Sequence, residues 1–350
     1  AAVFNGAVYV LDYDKAERAD LLRCLSLADG QEIWRYSYPV RVKPNHGMSR
    51  TIPAVTDKYV VTLGPMCHVT CLDSSSGEVL WTKDLVKQFG TTVPEWHAGQ
   101  CPLIDGERVI IAPGGEALLM AVDCKSGQVL WKSPNPQRWT MTHSSVMPME
   151  FNEKRTFVYC ASGGVAGVSA DDGRLLWETG AFSIRQATIA SPVPVSQNKV
   201  FISGGYGAGA LMLELKEEDD KVLASEALRL KPQVFGSYQH TPIFFNGYLY
   251  GVRPDGQMVC MDLAGKTTWT SGTDRFGKEG GGPYTLGNGL LYAMNDDGVL
   301  SLIEATPLVY KRLAQAKVLN GPESWGPMAL AGGRLIVRDL SRMVCLDVGQ

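Results

Sequence analysis

This 350-residue sequence lacks the features that most directly assign a function. It has no apolar run near the ~18 to 20 residues that span a bilayer. It also has no cluster of basic residues, and its 33 basic and 36 acidic side chains leave a formal net charge of −3. The lack of a long apolar run argues against a membrane span. The charge balance argues against a nucleic-acid partner and against an anionic membrane surface as binding site.

Motifs for catalysis and targeting are missing as well. The nucleophile motif Gly-x-Ser-x-Gly does not occur around Ser162 or Ser169. The glycine-rich residues 203–209 join two predicted strands and precede no helix, so they do not indicate a phosphate loop. Residues 1–10 are apolar but have no cationic start and contain the turn Asn5-Gly6. They predict a strand, and a targeting segment would lie upstream.

The cysteines are spaced as packing residues, not as disulfide partners. Four of the eight occupy the same point of an internal repeat: Cys24, Cys71, Cys260 and Cys345. Two other copies have Ala121 and Gly167 there. A position that accepts Cys, Ala or Gly predicts a tightly packed site for a small side chain.

Cys67, His68 and Cys71 form the segment that most resembles a metal motif. If it is one extended strand, the two cysteine Cα atoms lie about 13 Å apart, beyond disulfide or shared-metal distance. A turn at Cys67 would shorten that distance. We therefore predict no metal site here, with the turn as the open alternative.

The repeat itself is marked by a Gly four residues before a Trp. It occurs five times, as Gly30 and Trp34, Gly77 and Trp81, Gly127 and Trp131, Gly173 and Trp177, and Gly265 and Trp269. The Trp residues are separated by 47, 50, 46 and 92 residues, so the last interval spans two copies. A period of about 46 residues is typical of a four-stranded propeller blade. The fixed place of the Trp predicts packing between blades.

A second marker is the hairpin turn before each second strand. It appears as Asn5-Gly6, Asp57-Lys58, Asp105-Gly106, Asn152 to Lys154, Gln197-Asn198, Asn246-Gly247, Asn288-Gly289 and Gly332-Gly333. Asn-Gly and Asp-Gly suit two-residue hairpins because both central residues need positive φ. Eight turns predict an all-β, eight-bladed β-propeller.

Proline marks the first strand of seven blades, at Pro53, Pro102, Pro148, Pro192, Pro242, Pro283 and Pro327. Proline cannot donate to a β-ladder, so it suits the free edge beside a central channel. No eighth first strand is visible: that of blade one is expected to precede Ala1, and an eighth Trp would fall beyond Gln350. We expect one domain over residues 1–350 with incomplete terminal blades. Blades five and seven lack the Gly turn. We interpret residues 216–221 of blade five as a solvated charged hairpin, and an acidic binding patch is the alternative.

Four histidines precede first-strand prolines, so they are expected on loops at one face of the propeller. The predicted ligand-binding rim there comprises His46, Arg50, Trp96, His97, His143, Arg185, Tyr238, His240, Glu279, Glu323 and Trp325. Aromatic rings mixed with charged groups in a concavity suit a flat, polar or anionic ligand. The alternative is that the rings fill the channel and the histidines cap strand ends. Glu279 and Glu323 are candidates for a general base or for Ca²⁺ binding with residues 295–297.

The repeat Cys71-Leu72-Asp73-x-x-x-Gly77-x-x-x-Trp81 resembles the tryptophan-docking motif of the quinoprotein alcohol dehydrogenase-like (PQQ-like repeat) propellers. The resemblance covers essentially the whole chain and implies this propeller fold. It implies either a pyrroloquinoline quinone (PQQ) and Ca²⁺ site in the funnel or a non-enzymatic role such as that of relatives in outer-membrane assembly. Two departures are the absence of an adjacent cysteine pair and of a Cys-x-x-Cys-His haem site.

Two functional hypotheses follow. The first is a non-catalytic propeller that binds a small molecule, glycan or protein at the funnel face. The second is a PQQ- or metal-dependent dehydrogenase that uses the same funnel. The resemblance implies an exported protein of the periplasm or cell surface, and one fold can host both functions.

Overall fold

The computed structural model describes residues 1–219, 221–277, 281–320 and 323–349. These residues form eight antiparallel sheets that follow one another along the chain. The protein is an all-β, eight-bladed β-propeller, which confirms the predicted fold. By contacts the chain divides into two compact units, residues 1–188 with 217–223, and residues 189–216 with 224–350.

The first four blades contain sixteen strands and one short helix. Their bounds are β1 (Ala2–Phe4), β2 (Ala7–Asp14), β3 (Ala19–Ser26), β4 (Glu32–Pro39), β5 (Ala54–Val55), β6 (Tyr59–Leu63), β7 (His68–Asp73), β8 (Val79–Asp84), α1 (Leu85–Phe89), β9 (Leu103–Asp105), β10 (Arg108–Ile111), β11 (Met120–Asp123), β12 (Val129–Lys132), β13 (Met147–Phe151), β14 (Lys154–Ala161), β15 (Gly164–Ser169) and β16 (Leu175–Thr179). The expectation that the first strand of blade one precedes Ala1 is wrong: β1 is that strand, and it pairs with β2 although no proline marks it.

The last four blades follow the same order. Their bounds are β17 (Val193–Ser196), β18 (Lys199–Gly204), β19 (Gly209–Glu218), β20 (Lys221–Leu230), β21 (Ile243–Phe245), β22 (Tyr248–Val252), β23 (Met258–Asp262), β24 (Thr267–Thr270), β25 (Tyr284–Gly287), β26 (Leu290–Met294), β27 (Val299–Glu304), β28 (Arg312–Lys317), β29 (Ala329–Ala331), β30 (Arg334–Arg338) and β31 (Met343–Asp347). The eighth sheet has three strands within the described residues.

The Asn-Gly hairpin turns adopt the backbone conformation that their sequences predict, whereas at Asp105-Gly106 only Gly106 has a positive φ, of 63°. Asn5 and Gly6 have φ values of 45° and 74°, and Asn246 and Gly247 have 49° and 82°. Positive φ at both central residues is the geometry of a type I′ turn, which matches the twist of the flanking strands.

The small-residue position of the repeat lies directly across from the Trp of the same blade. Paired residues are Cys24 and Trp34, Cys71 and Trp81, Ala121 and Trp131, Gly167 and Trp177, and Cys260 and Trp269. At Gly167 an added Cβ would lie 2.1 Å from Nε1 of Trp177. The predicted tight site is thus confirmed there. Cys345 is the exception: it is exposed on β31, the last strand of the three-stranded sheet.

Each Trp of the first three blades also covers the Gly turn of the following blade. An added Cβ would lie 2.6 Å from the Trp34 ring at Gly77 and 2.7 Å from the Trp81 ring at Gly127. The Trp81 indole donates to the Cys124 carbonyl over 2.7 Å. The predicted packing between blades is confirmed in the first unit.

Blade five achieves the same packing without a Trp. Gly265 of blade six faces the side chains of Leu228 and Leu230, with a Leu228 methyl 2.9 Å from where a Cβ would lie. The charged hairpin between β19 and β20 is exposed at Lys216 and Lys221, as predicted, while Asp220 lies outside the described residues. In the part of the chain that the structure describes, no helix is long and apolar enough to cross a membrane.

Candidate functional site

The predicted rim residues of the first unit lie on the connections between blades. His46 and Arg50 lie between β4 and β5, Trp96 and His97 lie between α1 and β9, and His143 lies between β12 and β13. Arg185 follows β16. Loops that a rigid scaffold positions commonly carry binding residues.

Four of these residues form what we call the rim cluster: Arg50, Trp96, His97 and His143. The Trp96 and His143 ring centroids are 6.4 Å apart. His97 Nε2 lies 2.9 Å from the Lys43 carbonyl oxygen. The charge of Arg50 lowers the pKa of His143. Residues from three separate loops therefore interact in the rim cluster.

Arg50 is held in place by its own loop. Its Nε donates to the Gly47 carbonyl over 2.8 Å, and its Nη2 donates to Asn45 Oδ1 over 2.7 Å. An Arg fixed in this way is suited to bind a carboxylate or an aromatic ring of a partner.

His143 is the most perturbed member of the rim cluster. Burial, and to a smaller extent the Arg50 charge, lower its pKa to about 4 against the opposing effect of the backbone hydrogen bonds to Glu95 and His97. Its Nε2 is buried and has no hydrogen-bond partner among the described residues. The ring packs against Gly99, where a Cβ would lie 2.6 Å from Cδ2. The imidazole is therefore neutral at physiological pH.

Trp96 and His97 have backbone conformations that are unfavourable for their residue types. Their φ values are 64° and 77°, in the left-handed region that suits Gly or Asn. Such strain costs about 1 to 3 kcal/mol per residue and is concentrated at functional sites. His46 and Arg185 are exposed on their loops.

The rim residues predicted in the second unit have other surroundings. Tyr238 packs on Tyr206 with ring centroids 4.7 Å apart, and Trp325 donates from its indole to Asp296 over 2.8 Å. Glu323 has a φ of 64°. Glu279 lies outside the described residues. The complete eleven-residue rim stays a prediction.

His240, also in the second unit, is tied into the blade. Its Nε2 lies 3.1 Å from the Gly281 carbonyl, and its own carbonyl accepts from the Tyr284 hydroxyl over 3.2 Å. Burial lowers the pKa of His240 to about 4. These contacts fit the structural alternative, in which a histidine caps a strand end.

The sequence pattern missed a buried carboxylate beside the rim cluster. Asp20 on β3 is 2% exposed, and Ser49 donates towards its Oδ1 over 2.5 Å. Burial raises the pKa of Asp20 to about 6, opposed by Ser49 and Tyr38. Asp20 has the same phase on β3 as the buried Leu22, and this is the signal that could have revealed it.

The described residues contain no group of three or more His, Cys, Asp or Glu side chains placed to hold a metal ion. Cys67 has a φ of 65°, so the chain does turn there, but its Sγ packs 3.8 Å from Met141 Sδ. Cys71 Sγ donates to the Cys124 carbonyl over 3.3 Å. His68 lies 3.6 Å from Asp84.

Comparison with known proteins agrees with this geometry. The repeats and the eight sheets define a PQQ-like repeat propeller, as the sequence resemblance implied. A family model described as outer membrane protein assembly factor BamB matches residues 18–271. The chain belongs to this BamB family. The assignment agrees with the predicted exported location in the periplasm or at the cell surface.

Individual relatives show the same family and fold. BamB from Moranella endobia (strain PCIT) is 22% identical over 310 residues, which cover 86% of this chain and 72% of that protein. The crystal structure of BamB from Moraxella catarrhalis superimposes with a TM-score of 0.66 at 14% identity, covering 98% of this chain and 94% of that one. Quinohemoprotein alcohol dehydrogenase from Comamonas testosteroni gives 0.61 at 11% identity, covering 96% and 69%. At these identities the two solved structures show the fold alone.

Proposed function

We propose that this chain is a non-catalytic, protein-binding propeller of outer membrane protein assembly, and that the rim cluster forms part of its contact surface. The observation that carries the proposal is family membership over residues 18–271. Of the ligand classes that suit the rim, a protein is the one that agrees with the assembly role named for the relatives.

The chemistry of the rim cluster supports a protein partner. Arg and Trp are the residue types that most often dominate the energy of protein interfaces. Arg50 is fixed by Asn45 and Gly47, so little side-chain freedom is lost when a partner binds. Nε2 of His143 is a buried polar atom with no hydrogen-bond partner among the described residues.

The test is binding of the purified full chain to purified subunits of the outer-membrane assembly machinery from the same organism. We expect Trp96→Ala to weaken binding about tenfold or more, as for an interface hot spot. Arg174→Gln, an exposed change at the β15–β16 turn, serves as the control and should bind as the wild type does. Equal affinity of the Trp96→Ala variant and the wild type would refute the role of the rim cluster.

The dehydrogenase hypothesis has less support. Within the described residues no three His, Cys, Asp or Glu side chains are grouped as metal ligands, and the candidate ligand Glu279 lies outside those residues. Addition of PQQ and CaCl₂ to the full chain, followed by an absorbance scan and dye-linked alcohol oxidation, tests it directly. A bound-cofactor spectrum together with turnover would replace the scaffold function by this one.

A further inference from the structure

Blade one contains a cavity that the predicted rim does not include. It has a volume of about 340 Å³ and is lined by Glu17, Arg18, Pro39, Val40 and Arg41. Two chain segments form it, the β2–β3 turn and the end of β4, and the Val40 amide joins them by donating to the Arg18 carbonyl over 2.9 Å. The fold thus brings together two arginines that are far apart in sequence.

Both guanidinium groups are available to a ligand. Arg18 and Arg41 are exposed, and within the described residues neither side chain has an ion pair or a hydrogen bond. Two other arginines of the same blade behave differently: Arg23 and Arg35 both pair with Glu32, at 2.8 and 2.5 Å. The cavity therefore has two unneutralised cations beside the carboxylate of Glu17.

The backbone of Arg18 gives an independent indication. Asp14 builds the turn by accepting from the amides of Ala16 and Glu17 over 2.9 and 3.0 Å. The turn then ends at Arg18 with a φ of 52°, where Gly would fit without strain. Backbone strain of this kind clusters at functional sites, so it marks the Arg18 turn as a candidate.

We propose that this cavity binds a carboxylate side chain of an acidic polypeptide segment. Two arginines and one glutamate leave one net positive charge, which matches a single carboxylate better than a doubly charged phosphate. Planar guanidinium groups bind carboxylates through paired hydrogen bonds. Pro39 and Val40 supply an apolar wall for the stem of the bound side chain. The inference rests on the proposed function, for which it specifies part of the partner's chemistry.

The test measures binding of the peptide acetyl-Ala-Glu-Ala-Glu-Ala-amide to the full chain by calorimetry. The matched peptide has Gln in place of both Glu, and inorganic phosphate is the second competitor. The variants are Arg18→Gly and Arg41→Gln. Two variants outside the cavity serve as controls: Arg138→Gly, which also has a positive φ, of 53°, and Arg174→Gln, which is also exposed.

We expect the Glu peptide to bind at least about tenfold more tightly than the Gln peptide, and each cavity variant to lose about tenfold, since charged hydrogen bonds are the strong ones. Arg138→Gly and Arg174→Gln should retain wild-type affinity. Arg18→Gly should keep the wild-type melting temperature within a few degrees, because Gly relieves the strained turn. A loss of affinity then reports on the lost guanidinium, not on unfolding.

Three outcomes would overturn the inference: equal affinity for the Glu and Gln peptides, equal affinity of cavity and control variants, or tighter binding of phosphate than of the Glu peptide. Its failure can be told from that of the proposed function. If the assembly subunits bind the wild type and Arg18→Gly equally, only the cavity loses its role. If the subunits do not bind the wild type while the Glu peptide discriminates, only the proposed function falls.

Discussion

Replacing Asp20 by Asn should make this protein more stable at neutral pH and remove part of its pH dependence. Asp20 is almost fully buried, and burial raises its pKa from 3.8 to about 6. The folded state therefore holds the proton more tightly than the unfolded chain does. This contribution is fully present below about pH 4 and is lost as the pH rises through 6.

The hydrogen bonds around Asp20 oppose this shift in pKa but do not cancel it. The Ser49 hydroxyl lies 2.9 Å from the Asp12 carbonyl and 2.5 Å from Asp20 Oδ1. Donation from the Ser49 hydroxyl to Asp20 Oδ1 favours the carboxylate, so the raised pKa is the effect of burial that remains after this opposition. The shift in pKa from 3.8 to about 6 corresponds to about 3 kcal/mol between pH 4 and pH 7.

The assay is urea unfolding of the wild type and of Asp20→Asn at several pH values between 4 and 8. We expect the unfolding free energy of the wild type, relative to the variant, to fall by about 3 kcal/mol over this range. Asp171→Asn, at an exposed position, is the control and should leave the pH profile unchanged. A difference between wild type and Asp20→Asn that does not vary with pH would refute the reasoning.

Three further predictions concern other parts of the fold. Because the pKa of His143 is lowered to about 4, the free energy of unfolding of the wild type should fall by about 3 kcal/mol between pH 6.5 and pH 4. The His143→Gln variant should not show this fall. Urea unfolding across that range is the measurement, and parallel pH profiles of the two proteins would contradict the prediction. Gly127→Ala should lower the free energy of unfolding by about 1 to 3 kcal/mol more than Gly30→Ala does. Both glycines have a positive φ, but only Gly127 faces a Trp ring. Equal losses in urea unfolding would contradict this packing. The predicted single domain should unfold in one calorimetric transition whose calorimetric and van't Hoff enthalpies agree, whereas two transitions would indicate that the compact units unfold separately.

The fold could be predicted because its signals are local and repeated. A Gly turn followed by Trp, or Asn followed by Gly, requires positive φ whatever the distant surroundings are. Five copies of the small-residue position pack against a Trp as their phase predicts: Cys24, Cys71, Ala121, Gly167 and Cys260. Cys345 shares that phase but is exposed, because exposure depends on the neighbouring strand and not on the residue itself.

The candidate site could be predicted only in part. The sequence places Trp96 and His143 on loops of one kind, and the structure brings their rings within 6.4 Å. It could not show that the Lys43 carbonyl binds His97, since a backbone group has no sequence signature. The sequence also could not show that Arg18 and Arg41 line the same cavity, because this depends on how a turn and a strand end approach each other.

The contact of Leu228 and Leu230 with Gly265 has a consequence for genome surveys. Leucine side chains occupy the place that an indole has in other blades. The repeat therefore does not require a Trp, provided that apolar side chains of comparable volume cover the glycine of the next blade. Searches that count tryptophans would score this protein as having fewer repeats than it contains. Relatives in which more indoles have been replaced would escape detection by such searches altogether.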